Sequence, residues 1–258
     1  WDGLQIFETK ARAEVVLLDR YVFDAKAGWG QIFSGENQDS DYLGNNRTLE
    51  FSRSNNKTDD GEVWDYSVAA GYRMDIDNPR EFMYGIFLVD DLDLTLLGGY
   101  SRHSQYLVIS DLNQTIPAFG PFPGLNSRYR ARWDGPWVGF QFDGTRGDRL
   151  RGHGRFEYHF IDYVGDATWN LRDDFQQPVS FTHFSNNDGY GIVFDLGGEY
   201  RLNPTWSLAL QLAYSFFHVG GGTDRTFLRN YYPQVIDTRF NEANWSSFSI
   251  TGGAAATF

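Results

Sequence analysis

The sequence predicts an all-β chain, an antiparallel transmembrane β-barrel. Three observations predict it: a two-residue alternation of large apolar against small or charged residues, connectors that alternate between short and long, and a chain end in Phe after an alternating strand. The alternation is clearest in "TWSLALQLAYSFFHV" (205–219), where Trp206, Leu208, Leu210, Leu212, Tyr214 and Phe216 oppose Thr205, Ser207, Ala209, Gln211, Ala213 and Ser215. A sandwich core lined by small residues would leave these rings in water, where they would aggregate. A barrel in lipid turns apolar side chains outward and encloses a polar lumen.

Composition agrees. The 258 residues hold 22 Phe, 15 Tyr, 8 Trp and 28 Gly, a balance suited to tight turns and a ring-rich surface. The longest apolar runs, "GIFLV" and "VVLL", are far short of the roughly 20 residues of a spanning helix. Cysteine is absent, which excludes disulfides and thiolate metal sites. The net charge of -12 argues against nucleic acid as a partner. No signal peptide is visible, so in an exported protein the sequence is the mature part.

Nine strands follow from the parity, taken in order: about 4–18, 21–33, 62–74, 93–108, 127–142, 151–164, 187–202, 205–219 and 246–258. In the first, Ala11, Ala13, Val15 and Leu17 oppose Glu8, Lys10, Arg12 and Glu14. In the third, Trp64, Tyr66, Val68, Ala70, Tyr72 and Met74 oppose Asp65, Ser67, Ala69, Gly71 and Arg73. In the fifth, Tyr129, Ala131 and Trp133 are odd-numbered whereas Val138, Phe140 and Phe142 are even. The parity therefore predicts a bulge at "DGP" (134–136), where Pro136 is tolerated. In the sixth, His153 and His159 share lumen parity with Arg155 and Glu157, as in a packed polar plug. The seventh sets Tyr190, Ile192, Phe194, Leu196, Tyr200 and Leu202 against Val193, Asp195, Glu199 and Arg201. The last sets Phe248, Ile250, Ala254, Ala256 and Phe258 against Ser247, Ser249, Thr251 and Thr257.

Short connectors fall at 19–20, 143–149 and 203–204, and long polar ones at 34–61, 109–126, 165–186 and 220–245. Outer-membrane barrels have short periplasmic turns and long extracellular loops. The expectation is thus one domain over 1–258 in a bacterial outer membrane, with the long loops extracellular and Phe258 periplasmic. Nine is odd for a single-chain barrel, and the economical repair is a tenth strand upstream. "FMYGIFLV" (82–89) reads as an interfacial segment, because a strand there would break the alternation of sides.

Two stretches carry a family resemblance. "AGWGQIFSGENQDSDY" (27–42) resembles the strand of the omptins, outer-membrane aspartyl-type proteases, that leads into an Asp-x-Asp-aromatic motif. "YRARWDGPWVGF" (129–140) is similar to their basic-aromatic strand, and "LTLLGGYSRHSQY" (94–106) and "ITGGAAATF" (250–258) match family strands in order. The resemblance covers residue 5 onward and implies ten strands, of which this sequence begins in the second.

The resemblance also implies two polar pairs facing across the barrel mouth, one of aspartates and one an Asp-His dyad that activates water against a peptide carbonyl. Asp39 and Asp41 match the first pair; one residue apart on a strand end, they point to one side, and like charges that close would share a proton. A solvated polar loop is the plainer reading of "ENQDSD". The second pair fails to match: Asp166 is followed by Ala167 and Thr168, with no histidine. The nearest substitute is His183 in "FTHFSNND", across the same loop, where a cross-strand contact with Asp166 would restore a dyad.

Omptins also bind lipopolysaccharide through basic residues of the outer wall. Arg128 and Arg130, with Arg132, lie in the matching region, and guanidinium forks suit phosphate. By parity with Tyr129 and Trp133, the lower of these arginines should instead face the lumen and pair with Glu8, Glu14 or Asp65. No metal-loop pattern is present.

Three readings result. The first is an omptin-like barrel with an incomplete protease constellation, serving as a surface binding or structural element. Its partners are outer-membrane lipids and lipopolysaccharide, the latter the one structural or activating lipid in view, and a protein docked on the loops. The second is an active endopeptidase using Asp39, Asp41, Asp166 and His183. The third is a passive channel, disfavoured because Glu8, Lys10, Arg12, Arg73, Glu199 and Arg201 fill a ten-strand lumen.

Overall fold

The computed structural model describes residues 1–44, 47–76 and 89–256. They form one antiparallel sheet: β1 (Asp2–Leu17), β2 (Tyr21–Gly44), β3 (Thr48–Lys57), β4 (Gly61–Asp75), β5 (Asp91–Ile116), β6 (Gly120–Phe122), β7 (Ser127–Arg146), β8 (Leu150–Thr168), β9 (Phe181–Arg201), β10 (Trp206–Phe227) and β11 (Val235–Ala256). The nine strands read from the sequence are β1, β2, β4, β5 and β7 to β11. The short strands β3 and β6 lie at the long-loop end, where β3 pairs β2 and β5 and β6 pairs β5. The pairing path runs from β1 to β11, and among the described residues those two edges do not pair with each other. Lys10 Nζ donates to Ser249 Oγ at 3.2 Å across this seam. Residues 82–88 of the expected interfacial segment, and Phe258, fall outside the described residues.

Apolar side chains face outward and charged ones inward, as the alternation predicts. Trp206, Leu208, Leu210 and Tyr214 are 45 to 56% exposed, whereas Arg155, Glu157, His159 and Asp24 are at most 4% exposed. The ten residue steps from Trp206 to Phe216 measure roughly 34 Å along the strand, which a tilt of ~40° brings to about the ~25 Å height of a lipid-facing band. Inside that band the charges satisfy one another. Arg155 donates to Glu157 (2.6 Å) and Asp24 (2.9 Å), Arg12 to Asp24 (2.6 Å), and Lys26 to Glu157 (3.2 Å) and Asp195 (3.3 Å). Here is the packed polar plug, with His159 Nε2 3.0 Å from Glu157.

Above the band the fold departs from the sequence reading in two ways. First, much of the expected loop is strand. β2 continues to Gly44, β5 to Ile116, β8 to Thr168 and β10 to Phe227, so the wall rises well past the lipid band. Both faces of these extensions are polar or mixed, so alternation could not reveal them; cross-strand backbone hydrogen bonds carry them.

Second, β7 has no bulge. Its register with β5 and β8 is unbroken, and Tyr129, Ala131, Trp133 and Trp137 are all buried, so odd positions face inward throughout. The chemistry reverses instead of the geometry. Within the lipid band the outer face is apolar, as at Val138 and Phe140; above it the outer face meets water, so arginines turn out and rings turn in. The arginines therefore do not pair with Glu8, Glu14 or Asp65. Arg132 binds Asp134 at 2.7 Å, Arg102 binds the same carboxylate, and Arg130 lies 5.5 Å from the Tyr106 ring. The rings that turn in build a core of Ile32, Val63, Leu107, Tyr129, Trp133, Ile161, Tyr163, Phe217, Val219 and Phe240.

Candidate functional site at the barrel mouth

Two bulges decide which polar groups reach the mouth. On β2, Gln5 pairs Ser34 but Ile6 pairs Ile32, leaving Phe33 as an extra residue. Inward parity moves from even (Val22, Asp24, Ile32) to odd, so Asn37 is buried and Asp39 lines the lumen. On β10, the register with β9 shifts between Val219 and Thr223, and Gly221 and Gly222 take φ of +97° and +154°. Such angles suit glycine, and the irregularity turns Asp224 inward opposite His183.

Asp39 and Asp41 lie on one side, as the sequence implied. Trp169 Nε1 donates to Asp39 at 3.3 Å, and Arg172 stands near both carboxylates. Burial, then the charge of Asp41, push the Asp39 carboxyl above its usual pKa.

His183 and Asp166 do not meet. Gly165 pairs His183 on the inward face, while Asp166 pairs Thr182 on the outer wall and accepts its hydroxyl at 2.8 Å. Successive strand residues point to opposite sides, so a dyad of these two is geometrically excluded. The acid facing His183 is Asp224, 3.6 Å from Nε2, an ion-pair distance but too long for a hydrogen bond. Tyr129 OH lies 2.9 Å from His183 Nδ1 and 2.7 Å from Tyr163 OH. Phe240 stacks on the imidazole with centroids 4.6 Å apart. Burial lowers the His183 pKa against the opposing pull of Asp224, and burial followed by Tyr163 raises that of Tyr129. Sequence reading missed Asp224 and Tyr129. The run "GGG" (220–222) was the available sign that parity breaks before Asp224.

Asp39 and His183 line the same cavity, about 1580 Å³, which extends from the mouth toward the ion-paired layer and reaches the β1–β11 seam. Among the described residues, no hydrogen bond or ion pair joins the aspartate pair to the histidine cluster. The cavity is lined by carboxylates, three histidines (His103, His159 and His183), lysines and arginines, and aromatic side chains, so it can offer a ligand both hydrogen-bond donors and acceptors.

The chain shares its fold with the outer membrane protease OmpT from Escherichia coli. The match has a TM-score of 0.70 and covers 97% of this chain and 83% of that one, at 10% sequence identity. The omptin-like barrel expected from the resemblance is therefore present, as a shared fold. No curated protein matches the chain. The profile of the Pom family, the Protochlamydia outer membrane protein, matches residues 1–258, and the chain belongs to that family.

Proposed function

We propose that this outer-membrane barrel works by binding at its mouth, with the long-loop end extracellular, and does not cleave peptides. One observation carries the reading: the two polar groups a water-activating site would combine are held apart by their own partners. Asp39 is tied to Trp169, and His183 to Tyr129, with Asp224 opposite. A general base needs a ring nitrogen free to reach water within hydrogen-bond range of the attacked carbonyl. His183 Nδ1 is engaged, and Nε2 faces Asp224.

The outer wall suits lipopolysaccharide. Arg128 and Arg130 face outward beside Tyr106, at 6.0 and 5.5 Å from its ring. Forked guanidiniums above an apolar band are placed for phosphate, and the lipid would then steady the wall. The extended loops are the place for a protein partner.

A second reading, endopeptidase, draws support from Asp224 standing where Asp166 was expected. One assay separates the two. Refolded protein with lipopolysaccharide is incubated with a fluorogenic dibasic peptide, and no turnover above buffer is expected. Turnover abolished by Asp39→Ala or His183→Ala would refute the binding reading and restore the enzyme.

A further inference from the structure

β1 and β11 are the two ends of the sheet, and both run from the long-loop end to the short-turn end. β1 starts at Asp2, opposite Glu36, and turns after Leu17; β11 starts at Val235 and ends at Ala256, opposite Trp206. They are parallel to each other and, among the described residues, do not pair. From Ser246 to Ala256, β11 lies beside the lipid-facing run Trp206–Phe216 of β10 and crosses the same band. Its far edge, and the matching edge of β1, carry backbone N–H and C=O groups with no strand beside them. Water satisfies such groups at a soluble edge, but hydrocarbon cannot.

The side chains mark the same gap. Lys10 and Arg12 on β1 are 34% and 32% exposed, whereas Arg155, in the same ion-paired layer, is 1% exposed. Outward-facing Phe7, Phe248 and Ile250 line the cavity together with inward-facing Lys10 and Ser249, so the cavity opens sideways through the gap.

We infer that one further β-strand fills this gap, running from the short-turn end to the long-loop end, and that it is the segment of the chain leading into Trp1. The bond from Lys10 Nζ to Ser249 Oγ sets the width. An extended lysine and a serine together bridge about two strand spacings, ~9.6 Å, room for one strand and not for three. A strand between two parallel ones is antiparallel to both only if it runs against them, and outer-membrane barrels are antiparallel throughout. Such a strand ends at the long-loop end, where β1 begins, so one turn joins it to Trp1. Its neighbours fix its two faces. Outward positions lie between Phe248 and Ile250 on one side and Val15 and Leu17 on the other, all exposed, and are apolar. Inward positions lie between Ser247, Ser249 and Thr251 and a charge layer already balanced, Lys10 by Glu8 and Arg12 by Asp24 and Glu14, and are polar and uncharged. An even strand count gives none of this; the seam supplies place, direction and side chains. The strand seals the cavity from lipid and leaves the mouth as its opening, whether the mouth binds or cleaves.

Residues 1–258 contain no cysteine, so introduced pairs report distance cleanly. The test uses the full-length chain in outer membranes under a mild oxidant. Ala11→Cys with Ala27→Cys, direct partners on β1 and β2, should form a disulfide, which needs Cα atoms within ~7 Å. Ala11→Cys with Ile250→Cys, each one residue below the Lys10–Ser249 bond, should form none, and a bismaleimide long enough for two strand spacings should join them. Ile250→Cys with a single cysteine moved along the segment before Trp1, over the length of β1, should form an intramolecular disulfide at one position or at two that lie two apart, the period of a strand. Phe248→Cys replaces Ile250→Cys if the latter misfolds, as read by heat-modifiable gel mobility. A disulfide between positions 11 and 250, none with any cysteine before Trp1, or one to a second molecule overturns the inference.

Discussion

Arg155 is the centre of the lumen's ion network, and Arg155→Met tests whether that network holds the barrel. The side chain is 1% exposed, donates at 2.6 Å to Glu157 and 2.9 Å to Asp24, and lies 5.0 Å from the Trp137 ring. Methionine keeps an unbranched chain against Trp137 but removes the charge. Breaking a buried ion pair costs about 3–5 kcal/mol, because the abandoned carboxylate stays out of water. Here each carboxylate keeps another cation: Asp24 keeps Arg12 at 2.6 Å, and Glu157 keeps Lys26 at 3.2 Å. The loss should therefore fall at the low end, about 3 kcal/mol. Urea unfolding in phospholipid vesicles, followed by tryptophan fluorescence, reads it directly. Adding Asp24→Asn should return part of the loss, because it removes a buried carboxylate left with one cation where it had two, while Arg12 keeps Glu14 at 2.8 Å. A single-variant loss under about 0.5 kcal/mol, the size of an ordinary surface change, would refute the network. So would strict additivity of the two substitutions.

Two further outcomes follow from the same geometry. Leu210→Arg faces mid-bilayer lipid and should cost about 2–4 kcal/mol. Gln211→Arg, one residue on and 2.9 Å from Asp195, should be tolerated, and the reverse order in the same vesicle assay would mean the wall is read inside out. The lowered pKa of His183 gives a pH dependence. A group held neutral binds fewer protons folded than unfolded, so stability rises with pH between its folded value and the ordinary ~6.5. Acidification below ~6.5 should destabilise the mouth, and His183→Phe should remove that dependence while leaving neutral-pH stability near the wild type; an unchanged pH profile in the variant would refute it.

Some of this was legible before any coordinates. Within the lipid band a strand has one oily neighbour and one wet one, so Trp206, Leu210, Glu8 and Arg155 declare their faces by chemistry alone, and the nine long strands follow. The aspartate pair was legible too, because residues two apart share a side. The rest required tertiary structure. Above the band both sides of the wall are protein or water, so the rule that places a ring outward reverses at Trp133 with no sign in the local pattern. The extra residue at Phe33 and the register shift against β9 at the glycine run before Asp224 then decide which carboxylates face in. A strand's period fixes only relative sides, so only the register across strands could separate Asp166 from His183 and put Asp224 in its place.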